Sequence, residues 1–147
     1  DGPLRPRILA RLKELGLERS VATPGFLAES EKAELIRRSR FAVIPPNTGE
    51  DFGLVAIEAR HLGIPCLITR DGGVPEAAGP HSLSCAPGRV DALTRLLQEA
   101  AAMSTDDYRR LAQAAHASLD AALVRPEFYG EAYRAMLLRP RRRAVQR

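Results

Sequence analysis

The stretch FAVIPPNTGEDFGLVAIEARHLGIPCLIT, from Phe41 to Thr69, decides how the chain folds. It opens with a short apolar, partly β-branched run closed by two prolines, the pattern of a strand buried on both faces. From Phe52 to Leu62, Leu54, Ile57 and Leu62 recur at near-helical spacing, and the run stops at Gly63. PCLIT is then a second short apolar strand. Strand, helix and strand in so short a segment make a parallel pair, because the chain must cross back over the sheet before the second strand begins.

The same alternation extends outward. Leu4, Ile8, Leu12 and Leu15 predict an amphipathic helix over Pro3–Leu15, followed by a short SVAT run and a Pro-Gly turn. Ser30 is placed to cap a second helix, Glu31–Arg38, with Leu35 and Ile36 facing inward. Downstream, PEAAG predicts one helical turn and SLSC a weaker edge strand. Three helices close the chain, over Val90–Met103, Thr105–Leu123 and Pro126–Leu138, with Ser104 and Asp107 forming a capping box and Pro126 at a first helical position. The expected fold is α/β, a doubly wound parallel sheet with right-handed crossovers, incomplete at its N-terminus. Ligands bind such sheets beyond the carboxyl ends of the strands. The loops there are TPGFLAES, PPNTGEDFG and TRDGGVPE, all rich in Gly, Pro and small polar residues.

Composition bounds the function. A chain of 147 residues, 45% hydrophobic and 27% charged, suffices for one domain, here taken as 1–138, and contains no run near the roughly 20 apolar residues of a membrane span. Cys66 and Cys85 are too few for a disulfide framework, and Cys66 lies in an apolar run, which fits a reducing, cytoplasmic setting. The opening DGPLRPR, with no Met and no strand before it, reads as a piece of something longer. The net charge of +4 belongs to a basic tail, 139–147, which holds five arginines and no acid; outside it 17 Lys and Arg face 18 Asp and Glu. A short Arg run is most often a solvated end and sometimes a phosphate or membrane-surface contact.

Glu50 and Glu58 flank the Phe-Gly step eight positions apart. Glu50 precedes a helix N-terminus whose amides, those of Phe52, Gly53 and Leu54, favour an anion such as phosphate. A carboxylate repels phosphate but accepts hydrogen bonds from vicinal hydroxyls, which sugars supply in pairs. On one helix the two carboxylates would stand about 12 Å apart along the axis, the span from ribose to hexose across a diphosphate. A nucleotide sugar fits, with Glu50 on the transferred sugar, the amides on the diphosphate and Glu58 on the ribose. Taken alone, E-x7-E reads more readily as a helix-start acid and a solvated face residue than as a binding pair.

EDFGLVAIEA, GIPCLIT and GGVPE, in that order and spacing, resemble the donor-binding half of GT-B-fold retaining glycosyltransferases of the E-x7-E group, family 4 type. The likeness reaches upstream through LGLERSVATPGFLAESEKAELIRRSRFAVIPP and thins after Cys85. It implies that Glu50 contacts the donor sugar and assists departure of the phosphate. It implies further that Phe52, Gly53 and Leu54 lie by sugar and phosphate, that Glu58 binds ribose, and that Gly25 and Phe26 form a glycine turn lining the base pocket. Phe26 is as readily a core residue. Gly72 and Gly73 match a turn near the donor. Two features depart from the family pattern: Pro46 follows the strand-ending proline where a small or hydroxylated residue is usual, and Arg60-His61 are bulkier than their counterparts.

The resemblance also implies a diphosphate-clamping Lys or Arg and an acceptor-binding N-terminal domain, both outside this chain, so that the fragment alone is expected to be inactive. Expected partners are a nucleotide-sugar donor, an acceptor, that N-terminal GT-B domain and, through Arg139–Arg147, a membrane surface. No cofactor and no metal are expected; His61, His81 and His116 lack ligand spacing, and His61 reads as a surface or packing residue. There is no G-x-G-x-x-G after a strand and no P-loop ending, which argues against a dehydrogenase or a P-loop NTPase. Two other readings compete. One is a non-catalytic nucleotide- or partner-binding domain on the same fold; the other is nucleic-acid binding through the Arg tail, which predicts steep salt dependence lost on truncation after Leu138.

Overall fold

The elements are those of a computed structural model that describes residues 2–122 together with 134, 135 and 138. In α1 (Arg5–Glu14), Pro6 sits in the first turn, where its missing N–H has no helical partner to lose, and Arg11 and Lys13 occupy the last turn, where the helix dipole favours cations. In α2 (Glu29–Arg37) the Glu31 carboxylate reaches back to accept the Ala28 N–H at 2.9 Å. That bond starts the helix at Glu29, so Ser30 lies inside the first turn rather than capping it. SVAT forms no strand: among the described residues of this stretch there is no other strand to pair with, and an extended run alone leaves its backbone unpaired.

The chain divides into two units, Asp1–Arg38 and Ser39–Arg147. The first holds α1 and α2, and no residue of either helix is buried.

The second unit carries the sheet. Its elements are β1 (Ala42–Ile44), α3 (Leu54–His61), β2 (Cys66–Thr69), α4 (Val74–Ala78), β3 (Leu83–Cys85), α5 (Val90–Ala102) and α6 (Thr105–Ala122). The strands run parallel in the order β1-β2-β3, with Ala42 opposite Cys66 and Leu67 opposite Leu83. Alternation along β2 sends its side chains to two covered faces. Leu67 joins Cys85, Leu96 and Ala100 under α5, while the Cys66 thiol faces α3, its sulfur 3.7 Å from the Ala56 carbonyl oxygen. All four β2 residues are buried, which makes this strand the centre of the core. Burying Leu67 and Ile68 stabilises the fold by about 1.5–3 kcal/mol apiece.

β1 departs from expectation. Among the described residues it pairs only with β2, and as an edge strand it leaves Val43 44% exposed rather than buried on both faces. The helix expected over Phe52–Leu62 starts two residues late, because Gly53 takes a left-handed conformation (φ 83°) at the N-cap. The box before α6 forms as expected: the Asp107 N–H donates to Ser104 Oγ at 3.1 Å, and the hydroxyl donates to the Asp107 carboxylate at 2.6 Å. With Arg110 alongside, these bonds hold the Asp107 carboxyl below the usual range. The expected helix over Pro126–Leu138 and the tail Arg139–Arg147 lie outside the described residues, apart from Arg134, Ala135 and Leu138.

Candidate functional site

The loop between β1 and α3 is held by the segment that follows β2. Thr69, at the end of β2 and buried, donates its hydroxyl hydrogen to the Pro46 carbonyl. Two residues on, the Asp71 carboxylate accepts the Gly49 N–H at 2.9 Å. The Gly73 N–H then donates to the Glu50 carbonyl at 3.0 Å. Gly72 and Gly73 are glycines because the loop runs directly across them: a Cβ on Gly72 would lie 1.7 Å from the Glu50 carbonyl oxygen, and one on Gly73 2.3 Å from that of Asp51. The Gly-Gly turn is thus the bed on which Glu50-Asp51-Phe52 lies.

Beyond that bed the site residues fan out. The Glu50 side chain is exposed, Phe52 is 42% exposed and Leu54 67% exposed. No side chain caps α3; the Ala56 N–H goes to the Gly53 carbonyl at 2.9 Å, and the amides of Leu54 and Val55 ahead of it face the helix start, where an anion is favoured. Gly53 is buried, and its missing Cβ makes room for Val74 Cγ2, which would otherwise be 2.9 Å away. The close approach it permits is therefore that of α4. Glu58 lies on α3 and is half-buried, with its Oε2 shut off from solvent. Only Leu54–Glu58 rise as helix between the two glutamates; Glu50 belongs to the loop, so the 12 Å axial separation estimated for one continuous helix does not describe the pair.

Gly25 and Phe26 belong to the first unit. Gly25 has φ 75° and borders a recess of about 440 Å³ with Pro3, Leu4, Ile8 and Thr23. Phe26 is 90% exposed, which removes it from any core of that unit. A roomier groove of about 560 Å³ along α2, lined in part by Glu31, Glu34 and Arg38, holds none of the expected site residues.

Three features escaped the sequence reading. A cleft of about 200 Å³, lined in part by Pro45, Asn47, Thr69, Gly88 and Arg89, sits at the carboxyl ends of the strands. Arg89 is engaged by the Asp91 carboxylate through two bonds of 3.1 Å, which hold the Asp91 carboxyl below the usual range. Asp71 is the second, and its bond spans 22 positions. Arg60 is the third. Only 1% exposed, it donates to the Ala77 carbonyl, to Ser118 Oγ at 2.9 Å and to the Ala115 carbonyl at 3.4 Å, so it ties α3 to α4 and α6. Its own carbonyl meets His116 Nδ1 at 3.0 Å. The signal for Arg60 was present: it follows buried Ala56 by one helical turn, on the stripe that faces the core. Loss of hydration lowers its pKa. Burial pushes the neighbouring Cys66 thiol up to about 11, offset in part by the Arg60 charge. His61, by contrast, is exposed.

Among the described residues no group of His, Cys, Asp and Glu could hold a metal ion, and no helix is long and apolar enough to cross a membrane.

Residues 1–118 match the family model of glycosyl transferases group 1, and the chain belongs to that family. It is 37% identical over 131 residues to a D-inositol 3-phosphate glycosyltransferase of Corynebacterium urealyticum, covering 83% of this chain and 28% of that protein. Over 90 residues it is 38% identical to an MMP alpha-(1->4)-mannosyltransferase of Mycolicibacterium hassiacum, covering 58% of this chain and 21% of the relative. Its fold matches a sucrose-phosphate synthase from Thermosynechococcus elongatus with a TM-score of 0.77 at 26% identity, over 92% of this chain and 35% of the other. Anabaena HepE, solved with UDP and glucose, matches with a TM-score of 0.74 at 20% identity, over 90% of this chain and 36% of the other, a likeness of fold alone. These neighbours are GT-B glycosyltransferases, and the chain spans between a fifth and about a third of the proteins it matches.

Proposed function

We propose that this chain is the donor-binding part of a retaining glycosyltransferase of the E-x7-E group, family 4 type, that takes its sugar from a nucleoside diphosphate sugar. One observation carries the reading: the turn after β2 holds Glu50 by its backbone just ahead of the uncapped N-terminus of α3, the helix that also bears Glu58. An exposed carboxylate, helix amides and a half-buried carboxylate in succession suit a sugar, a diphosphate and a ribose in succession. In this reading Glu50 steadies the transferred sugar and the charge leaving with the phosphate, and the amides from Phe52 to Leu54 receive the diphosphate. Glu58 accepts from the ribose hydroxyls. No metal or other cofactor takes part. A further cation for the diphosphate and an acceptor-binding N-terminal domain complete the cleft in the whole protein, which works in the cytoplasm, with Arg139–Arg147 resting on an anionic membrane surface.

The relatives' names support sugar transfer, and UDP in the HepE structure supports a nucleotide donor. The test is ligand-observed NMR of the chain with UDP-, GDP- and ADP-glucose, with Glu58→Gln beside the wild type. Glutamine keeps the shape but loses the charge, so affinity is expected to fall by about 1.5–3 kcal/mol, the range for hydrogen bonds to charged groups. An unchanged affinity would remove Glu58 from the site. Failure of the wild type to bind any of the three would leave two explanations, a donor site that needs the rest of its cleft or a non-catalytic partner-binding domain on the same fold.

A further inference from the structure

The loop that bears Glu50 is anchored from one short segment at three points. Two anchors involve the backbone of Gly73 and the buried Thr69 hydroxyl. The third is a carboxylate: Asp71 Oδ2 accepts the Gly49 N–H at 2.9 Å, one residue before Glu50. Asp71 is itself fixed at both ends of its residue, since its N–H donates to the Thr69 carbonyl at 2.9 Å and its carbonyl accepts the Val74 N–H at 3.3 Å. The carboxylate therefore projects from a rigid turn onto the Thr48–Gly49 peptide, one residue ahead of the peptide that leads into Glu50. Gly49 has φ 77°, a conformation open to glycine, and without a side chain of its own it relies on the Asp71 bond to fix it.

We propose that Asp71 is a positioning residue for Glu50, holding the Gly49 peptide so that the Glu50 carboxylate is presented to the donor sugar. This rests on the donor-site reading above. A charge-assisted bond to a backbone N–H is among the stronger single contacts available to a loop, and with the Gly73 bond it fixes the Thr48–Gly49 and Glu50–Asp51 peptides, the two that bracket the Gly49–Glu50 link. Asp71 does not touch the sugar; it acts through Glu50. Misplacement of a reacting group by about 1 Å can cost on the order of a hundredfold, so the orientation of this loop governs what Glu50 can do.

Three forms of the isotope-labelled 147-residue chain test this: wild type, Asp71→Ala and Asp71→Asn. In the alanine variant, exchange of the Gly49 amide hydrogen should speed up by on the order of tenfold, with Gly73 following, while Leu67 and Ile68 in the core keep their rates. Asparagine retains an acceptor oxygen and should restore most of the protection. UDP-glucose affinity should fall several-fold in Asp71→Ala and recover in Asp71→Asn, a rescue that a general loss of stability would not produce. In the wild type alone, a through-hydrogen-bond coupling should connect the Gly49 amide nitrogen to the Asp71 carboxyl carbon, a readout that needs no variant to fold. Absence of that coupling, or an unchanged Gly49 exchange rate in Asp71→Ala, would overturn the proposal. Faster exchange with unaltered UDP-glucose affinity would also overturn it while leaving the donor reading intact.

Discussion

At position 72 even a methyl group has nowhere to go. The site lies 1.7 Å from a carbonyl oxygen that Gly73 already holds, and φ is 53°, so Gly72→Ala pays twice, once in strain and once in displacing Glu50. The left-handed conformation alone costs about 1–2 kcal/mol for a non-glycine residue. Urea unfolding should therefore show at least that loss, and UDP-glucose affinity should drop along with it. Cys66 offers a second prediction at the same scale. Its thiol is pushed up from the ordinary 9.0 to about 11, so the folded chain keeps a proton that the unfolded chain releases. The associated stability is fully present below about pH 9 and is lost as the pH rises to about 11, on the order of 2 kcal/mol in all. Stability curves of the wild type and Cys66→Ala should diverge in shape across that window; parallel curves would show that Cys66 stays protonated in both states or in neither.

Among the elements, Arg60 makes α3 inseparable from α4 and α6. Arg60→Ala empties a buried site and leaves the Ala77 carbonyl and Ser118 hydroxyl without their donor, which should destabilise the chain by roughly 2–4 kcal/mol in equilibrium unfolding. A loss below about 0.5 kcal/mol, the scale of ordinary surface changes, would mean that the guanidinium is solvated in solution. This is also the scale at which the sequence was most legible. The β1–α3–β2 unit follows from apolar runs and helical spacing because both its partners and its breakers lie nearby in the chain. Ser30 misled because Glu31 supplies the bond that starts the helix at Glu29. Of the candidate site, Glu50 and the Gly-Gly turn came into view through the resemblance that their motifs carry, since the spacing of acids and glycines alone is a weak mark. Asp71 did not, since a bond across 22 positions to a backbone amide leaves no periodic mark.

For the whole molecule, charge is divided unevenly along the sequence, with an excess of arginine at one end and near balance elsewhere. Truncation after Leu138 should abolish binding to phosphatidylserine-containing vesicles, at about 1 kcal/mol per arginine near the surface, and leave UDP-glucose affinity unchanged. Vesicle binding that survives the truncation would move the contact elsewhere on the chain. Finally, a Cβ on Gly79 would sit 2.7 Å from the centre of the Arg60 guanidinium, and the backbone there (φ 72°, ψ 179°) is one that glycine alone adopts readily. The two positions are therefore coupled. Gly79→Ala combined with Arg60→Ala should therefore cost less than the sum of the two single substitutions, because the guanidinium that the new methyl group would strike is gone.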